Sequence, residues 1–126
     1  MIAGIGIDAV TISRIDRLIE LRGDHFLEKV FSGSEIEEGM KRHDRAAFFA
    51  VRFAAREAFA KALGTGFGRG VSMRDVEVTK GELGAPGLRL SQRLAALVAS
   101  RGIARWHLSL AHENDAALAV VILEGS

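Results

Sequence analysis

Cysteine is absent from this chain, which excludes a disulfide framework, a thiolate metal site and a thiol nucleophile. No run approaches the roughly 18 consecutive apolar residues of a membrane span. The opening Met1-Ile2-Ala3-Gly4 has neither the basic stretch nor the cleavage pattern of a signal peptide. A soluble cytoplasmic protein is the expectation, with no membrane partner. Charge of one sign is also missing: 17 Lys and Arg against 16 Asp and Glu leave a formal net charge of +1, no footprint for nucleic acid. Exposed aromatics interleaved with basic residues, as in a single-strand binder, are lacking too. The one proline, Pro86, lies in a glycine-rich turn.

Apolar residues make up 48% of 126 residues, enough for one domain spanning 1–126. That fraction is high for so small a chain and favours cover by identical subunits. Ile5, Ile7 and Ala9 alternate with Gly4, Gly6 and Asp8, predicting a strand over the first ten residues. The glycines clear space on the face that Asp8 shares, for a packed helix or a ligand. A helix follows to about Arg22, with Ile12, Ile15, Leu18 and Ile19 as its stripe and Thr11 or Ser13 as its cap. Short helical pieces span His25 to Met40, with Ser34 and Glu37 spaced as a capping box. A long helix covers Asp44 to Leu63 and stops at Gly64; its apolar residues run almost all round, as in a helix buried on several sides. Arg45, Arg52 and Arg56 share one stripe of it. Asp75 to Thr79 alternates as a strand, and Leu88 to Leu90 follows the turn. Ser91 caps a helix to Gly102, and Trp106–His112 with Ala116–Leu123 reads as a hairpin turning at Asn114-Asp115. This mixed order predicts an α+β fold.

Two acids stand out. Glu57 is set in Phe53-Ala54-Ala55-Arg56-Glu57-Ala58-Phe59-Ala60-Lys61, and Asp8 ends Gly4-Ile5-Gly6-Ile7-Asp8. Both segments read as buried, where an unpaired charge is costly. Two readings stand side by side. In one, Glu57 pairs with Lys61 at i,i+4 and Asp8 caps the next helix. In the other, the acids share a divalent metal, and Mg²⁺ is suited to two carboxylates plus waters and phosphate oxygens. The Gly64–Gly70 loop follows a helix, so the nearby dipole end has the wrong sign for an anion, and its spacing matches no phosphate motif. His112 has no second histidine at i,i+4, which argues against zinc. Ser109 lacks the context of a hydrolase nucleophile. Arg14, Arg17 and Arg22 form a basic helix face, either merely solvated or used to dock an acidic partner.

Taken together, Ile5-Gly6-Ile7-Asp8 and Phe53 to Lys61 resemble the bipartite signature of the phosphopantetheinyl transferases, and the length between them is typical of it. Arg52, Ala62-Leu63-Gly64-Thr65-Gly66 and Ser109-Leu110-Ala111-His112-Glu113 are similar to the short bacterial subgroup, nearly end to end. The resemblance implies a fold with an antiparallel sheet wrapped on a long central helix. It implies transfer of 4′-phosphopantetheine from coenzyme A to a serine of acyl carrier protein, releasing adenosine 3′,5′-bisphosphate, in fatty acid biosynthesis. Asp8 and Glu57 would bind Mg²⁺ with the pyrophosphate. Arg52, Lys61 and His112 would contact coenzyme A phosphates, Gly64 and Gly66 would admit them to the backbone, and Pro86 would lie near the adenine. Asp8, Glu57, Lys61 and His112 form the implied catalytic set; a water at the metal, Glu57, Asp8 and His112 each remain as the base. Arg14 would dock the acidic helix of the carrier, and a homotrimer with sites between subunits is implied. Arg56 replaces the family's lysine, Ala111 a serine, and Ala85 an often basic residue. A module that binds coenzyme A or a nucleotide without catalysis is the competing class.

Overall fold

The alternation at the N-terminus produces the edge strand against which the main helix packs. In the computed structural model, which describes residues 1–126, β1 (Ile2–Thr11) turns Gly4, Gly6, Asp8 and Val10 inward and Ile5, Ile7 and Ala9 outward. It pairs antiparallel with β5 (Ala116–Gly125), which pairs antiparallel with β4 (Ile103–Glu113), giving a sheet of order β1-β5-β4. Between them the chain forms α1 (Ile12–Arg22), α2 (Asp24–Val30), α3 (Gly33–Met40) and α4 (Arg45–Leu63). A short 3₁₀ turn (Met73–Asp75), the hairpin β2 (Val76–Lys80) and β3 (Pro86–Leu90), and α5 (Gln92–Ser100) complete the fold. This is the expected α+β architecture, a sheet wrapped on one long helix. No helix is long and apolar enough to cross a membrane.

α4 lies across the inner face of β1 and β5, and its all-round apolar pattern has the predicted cause. Phe48, Phe49, Val51, Ala54, Ala55, Ala58, Phe59 and Leu63 are all buried, on several sides at once. Gly64, at φ 80°, ends the helix with its N–H on the Ala60 and Lys61 carbonyls, as the glycine signal predicts. Tight approach on the strand side needs glycine: a Cβ at Gly6 would meet the Ala58 carbonyl oxygen at 1.9 Å, and one at Gly4 the Ala62 oxygen at 2.2 Å.

Three local expectations are corrected by long-range contacts. Neither Thr11 nor Ser13 caps α1; Asp115, in the β4–β5 turn, accepts from the Ser13 backbone N–H at 3.0 Å and its hydroxyl at 2.6 Å. The capping box of α3 is Ser32 with Glu35, two residues ahead of Ser34 and Glu37. The second strand starts at Val76, because Asp75 closes the 3₁₀ turn and accepts from Ser72, Ser91 and Arg93.

Arg56 is fully buried, and its partner is Glu35. The guanidinium holds both carboxylate oxygens, donates to the Met73 and Arg52 carbonyls, and lies 4.9 Å from the Phe31 ring centre. Glu35 also accepts from the Val78 N–H. Removing one partner of such a pair costs about 3–5 kcal/mol, because the other charge is left buried alone. Arg56 thus ties α3 and β2 to α4, which accounts for the arginine at that position structurally.

Candidate active site

Inward alternation of β1 and the close seat of α4 bring three of the predicted residues together. Asp8 points toward α4 with its side chain 16% exposed, and the Lys61 ammonium lies 2.9 Å from its Oδ1. Lys61 also donates to the Ile7 carbonyl at 3.0 Å. The i,i+4 pair between Glu57 and Lys61 does not form, and Asp8 does not cap α1. Glu57 is half-buried and makes neither an ion pair nor a side-chain hydrogen bond. Its pKa is raised from the ordinary 4.5, first by burial and then by the charge of Asp8, with Lys61 and Arg14 opposing. Glu57, Asp8, Lys61 and Arg14 therefore share one electrostatic neighbourhood.

This neighbourhood fits a hard cation. No group of three or more His, Cys, Asp or Glu side chains is gathered for a metal. A pair of carboxylates, one without any protein donor, matches the sparse protein share of a Mg²⁺ shell that waters and phosphate oxygens complete. Gly64 and Gly66, both in the left-handed region at φ 80° and 65°, lie just beyond, where the chain leaves α4.

Arg52 and His112 meet in a second place. A cavity of about 150 Å³ is lined by Arg42, Asp44, Phe48, Arg52, Lys80 and His112, among others. His112 projects from the inner face of β4, in register with Ala117 of β5. Arg52 is 8% exposed; its guanidinium stacks 3.5 Å from the Phe48 ring centre and donates to the Phe48 carbonyl. The Arg52 Nε is buried without a partner. Burial lowers the Arg52 pKa, against the pull of Glu35 and Glu38. Pro86 pairs with Lys80 in the hairpin but does not itself line this cavity.

The structure does not unite the two clusters. At about 100° per residue, Arg52 and Lys61 fall on opposite faces of α4. Arg42, Asp44 and Lys80 escaped sequence reasoning: they come from the α3–α4 connection and the turn end of the β2–β3 hairpin, which carry no local motif. Arg14 lines an open groove on α1 with Ser13, Arg17, Leu18 and Leu21, and Leu21 is 74% exposed.

The raised pKa of Glu57 fixes a sign. Its contribution to stability is full below about 4.5, where both states are protonated, and is lost as pH rises through the higher folded value. Glu57→Gln mimics the protonated group. In chelator-treated protein the variant is expected to unfold at a higher temperature than the wild type at pH 7. That advantage should vanish near pH 4 in thermal melts across this range. A wild type that is the more stable at pH 7 would show that Glu57 has a protein partner.

A sequence model of the 4′-phosphopantetheinyl transferase superfamily matches residues 4–121. The holo-[acyl-carrier-protein] synthase of Syntrophus aciditrophicus is 45% identical over 99% of this chain and 98% of its own. The crystal structure of the Neisseria meningitidis synthase is 38% identical and superposes with a TM-score of 0.92, covering 98% and 99% of the two chains. The Helicobacter pylori synthase, solved in complex with coenzyme A, is 32% identical with a TM-score of 0.83, covering 95% and 99%. With its full-length match in sequence and in fold, the chain belongs to the 4′-phosphopantetheinyl transferase superfamily and is an enzyme of its holo-[acyl-carrier-protein] synthase group.

Proposed function

We propose that the chain catalyses Mg²⁺-dependent transfer of 4′-phosphopantetheine from coenzyme A to a serine hydroxyl of acyl carrier protein, serving fatty acid biosynthesis in the cytoplasm. Glu57 carries this reading: a half-buried carboxylate without a protein donor, beside a second carboxylate. Asp8 and Glu57 would hold the metal. When bound, the ion supplies polarisation of the reacting phosphoryl group and neutralisation of the leaving phosphate. Lys61 is more than half exposed at its tip and adds a charge that reaches the pyrophosphate from Asp8's side. The serine oxygen forms a bond to the phosphorus that bears pantetheine. The bond from that phosphorus to the bridging oxygen breaks, and adenosine 3′,5′-bisphosphate leaves with the electron pair. The serine proton passes to a base.

Arg52 and His112 would bind the remaining phosphate, the 3′ one, beside Pro86 near the adenine, while Gly64 and Gly66 bring backbone to the pyrophosphate. The two clusters sit on opposite faces of α4, so one coenzyme A spans them only between two copies of the chain. The outer sheet face supports such an assembly. Ile2, Ile5 and Ile7 are 58%, 60% and 57% exposed, and Ile5 and Ile7 lie directly beside Ile122 and Val120 of β5. A homotrimer would cover this face.

The decisive experiment incubates apo acyl carrier protein with coenzyme A, Mg²⁺ and the enzyme, and reads the carrier's mass. Addition of one phosphopantetheine group is expected; an unchanged mass with coenzyme A bound would make the chain a non-catalytic binder. Glu57→Gln should lower the rate at least about a hundredfold while staying folded.

Charge reversal at Arg14, Arg14→Glu, should raise the KM for the carrier about tenfold and weaken coenzyme A binding much less. Equal losses for both substrates would remove α1 as the docking face.

Sedimentation velocity should give three times the chain mass for the wild type and a monomer for Ile7→Lys. A monomeric wild type with full activity would end the shared-site reading.

A further inference from the structure

Asp44 is the one carboxylate among the residues lining a cavity that also has Arg42, Arg52, Lys80 and His112 in its wall; Glu38, outside the lining, reaches Arg42 at 3.6 Å and Lys80 at 3.5 Å. Asp44 occupies the N-cap position of the 19-residue helix α4, where an aspartate ordinarily accepts a backbone N–H. Here it makes no cap hydrogen bond. Its carboxylate is turned instead onto Arg42, accepting from Nε at 2.7 Å and from Nη2 at 3.1 Å. Arg42 and nearby His112 hold its pKa below the ordinary carboxylate value, Arg42 more strongly, so it is charged at neutral pH. Arg52 also lines this cavity, and its Nε is buried without a partner. The cavity thus contains an arginine that wants an anion, and a fixed anion already spent on another arginine.

We propose that Asp44 sets the strength and selectivity of phosphate binding in this cavity, acting as a built-in competitor that occupies Arg42 and repels an entering phosphate. The proposal rests on the reading that the cavity takes the 3′-phosphate of coenzyme A. A dianionic phosphate within several ångströms of a carboxylate is opposed by a Coulomb term that remains appreciable even near bulk-water dielectric, so affinity falls below what the cations alone would give. Both Asp44 and Arg42 are part-exposed, with side chains 52% and 38% accessible, so salt screens this effect. A weaker hold on the 3′-phosphate also eases release of adenosine 3′,5′-bisphosphate, which carries that group out of the site.

Coenzyme A and dephospho-coenzyme A, which lacks the 3′-phosphate, separate the terms by calorimetry on the intact assembly. Asp44→Asn keeps a good N-cap residue and removes the charge. It should tighten coenzyme A binding about three- to tenfold at low salt and leave dephospho-coenzyme A unchanged. The gain should shrink as salt rises. Unchanged or weaker coenzyme A binding would overturn the proposal, weaker binding meaning that Asp44 orients Arg42 onto the phosphate. Arg52→Gln is the control: it should narrow the difference between the two ligands. If Arg52→Gln leaves that difference untouched, the phosphate reading of the cavity itself is wrong, whatever Asp44→Asn does.

Discussion

The carbonyl oxygens of Ala58 and Ala62 lie where a Cβ on Gly6 or Gly4 would stand, at 1.9 and 2.2 Å, and this contact between helix backbone and strand backbone sets every distance in the acidic cluster. Side chains on both surfaces would hold the two elements farther apart, as in ordinary helix-on-sheet packing. With glycine on β1 and alanine on α4 that spacing collapses. Asp8, next inward after Gly6, then meets the helix at its own level and takes the Lys61 ammonium at 2.9 Å. The same approach leaves Glu57 half-buried at the strand edge, too close to Asp8 for either charge to be ignored. A methyl group at position 6 would displace backbone, because neither a carbonyl nor a strand can rotate away as a side chain does.

Much of this was legible because it is local or periodic. The two-residue alternation placed Asp8 inward, the all-round apolar pattern marked α4 as central, and Gly64 ended it where a left-handed residue was needed. What sequence could not supply was choice among equivalent local options. Ser32–Glu35 and Ser34–Glu37 have the same spacing; Glu35 prevails, since only its carboxylate also serves Arg56 and the Val78 N–H. Lys61 stands one turn from Glu57, yet it crosses to Asp8, 53 residues earlier in the sequence. Asp115 caps α1 for the same kind of reason: closing the sheet brings the β4–β5 turn to the helix start. The cation-rich cavity assembles from the α3–α4 connection, α4, the turn end of a hairpin and a strand end, so no single segment carried its signature.

α4 carries four charged side chains between Arg52 and Lys61, and their environments sort them. Arg56 is entirely buried and entirely satisfied, which is how a structural charge looks. Lys61 is paired with Asp8, yet its side chain is more than half exposed, so it stays within reach of solvent and ligands. Arg52 and Glu57 differ from both. Each is at least half-buried, and each is left short of partners: Arg52 at its Nε, Glu57 at its whole carboxylate.

Those two deficits have opposite sign and point away from each other across the helix. Burial without compensation is costly for either charge, and a protein needing only a core would remove both. Neither can relieve the other within one chain, since the helix itself stands between them. On the proposed function, a phosphate-bearing ligand with its metal would supply both missing partners at once, an anion for Arg52 and a cation for Glu57. For a single ligand to do so, the Arg52 face of one copy must meet the Glu57 face of another. The exposed isoleucines of β1 lie on the outer face of the strand whose inner face carries Asp8, so an interface built there would start beside the acidic cluster. On that proposal, assembly and ligand binding would draw on the same deficit, and the isolated chain would be left with half of each solution.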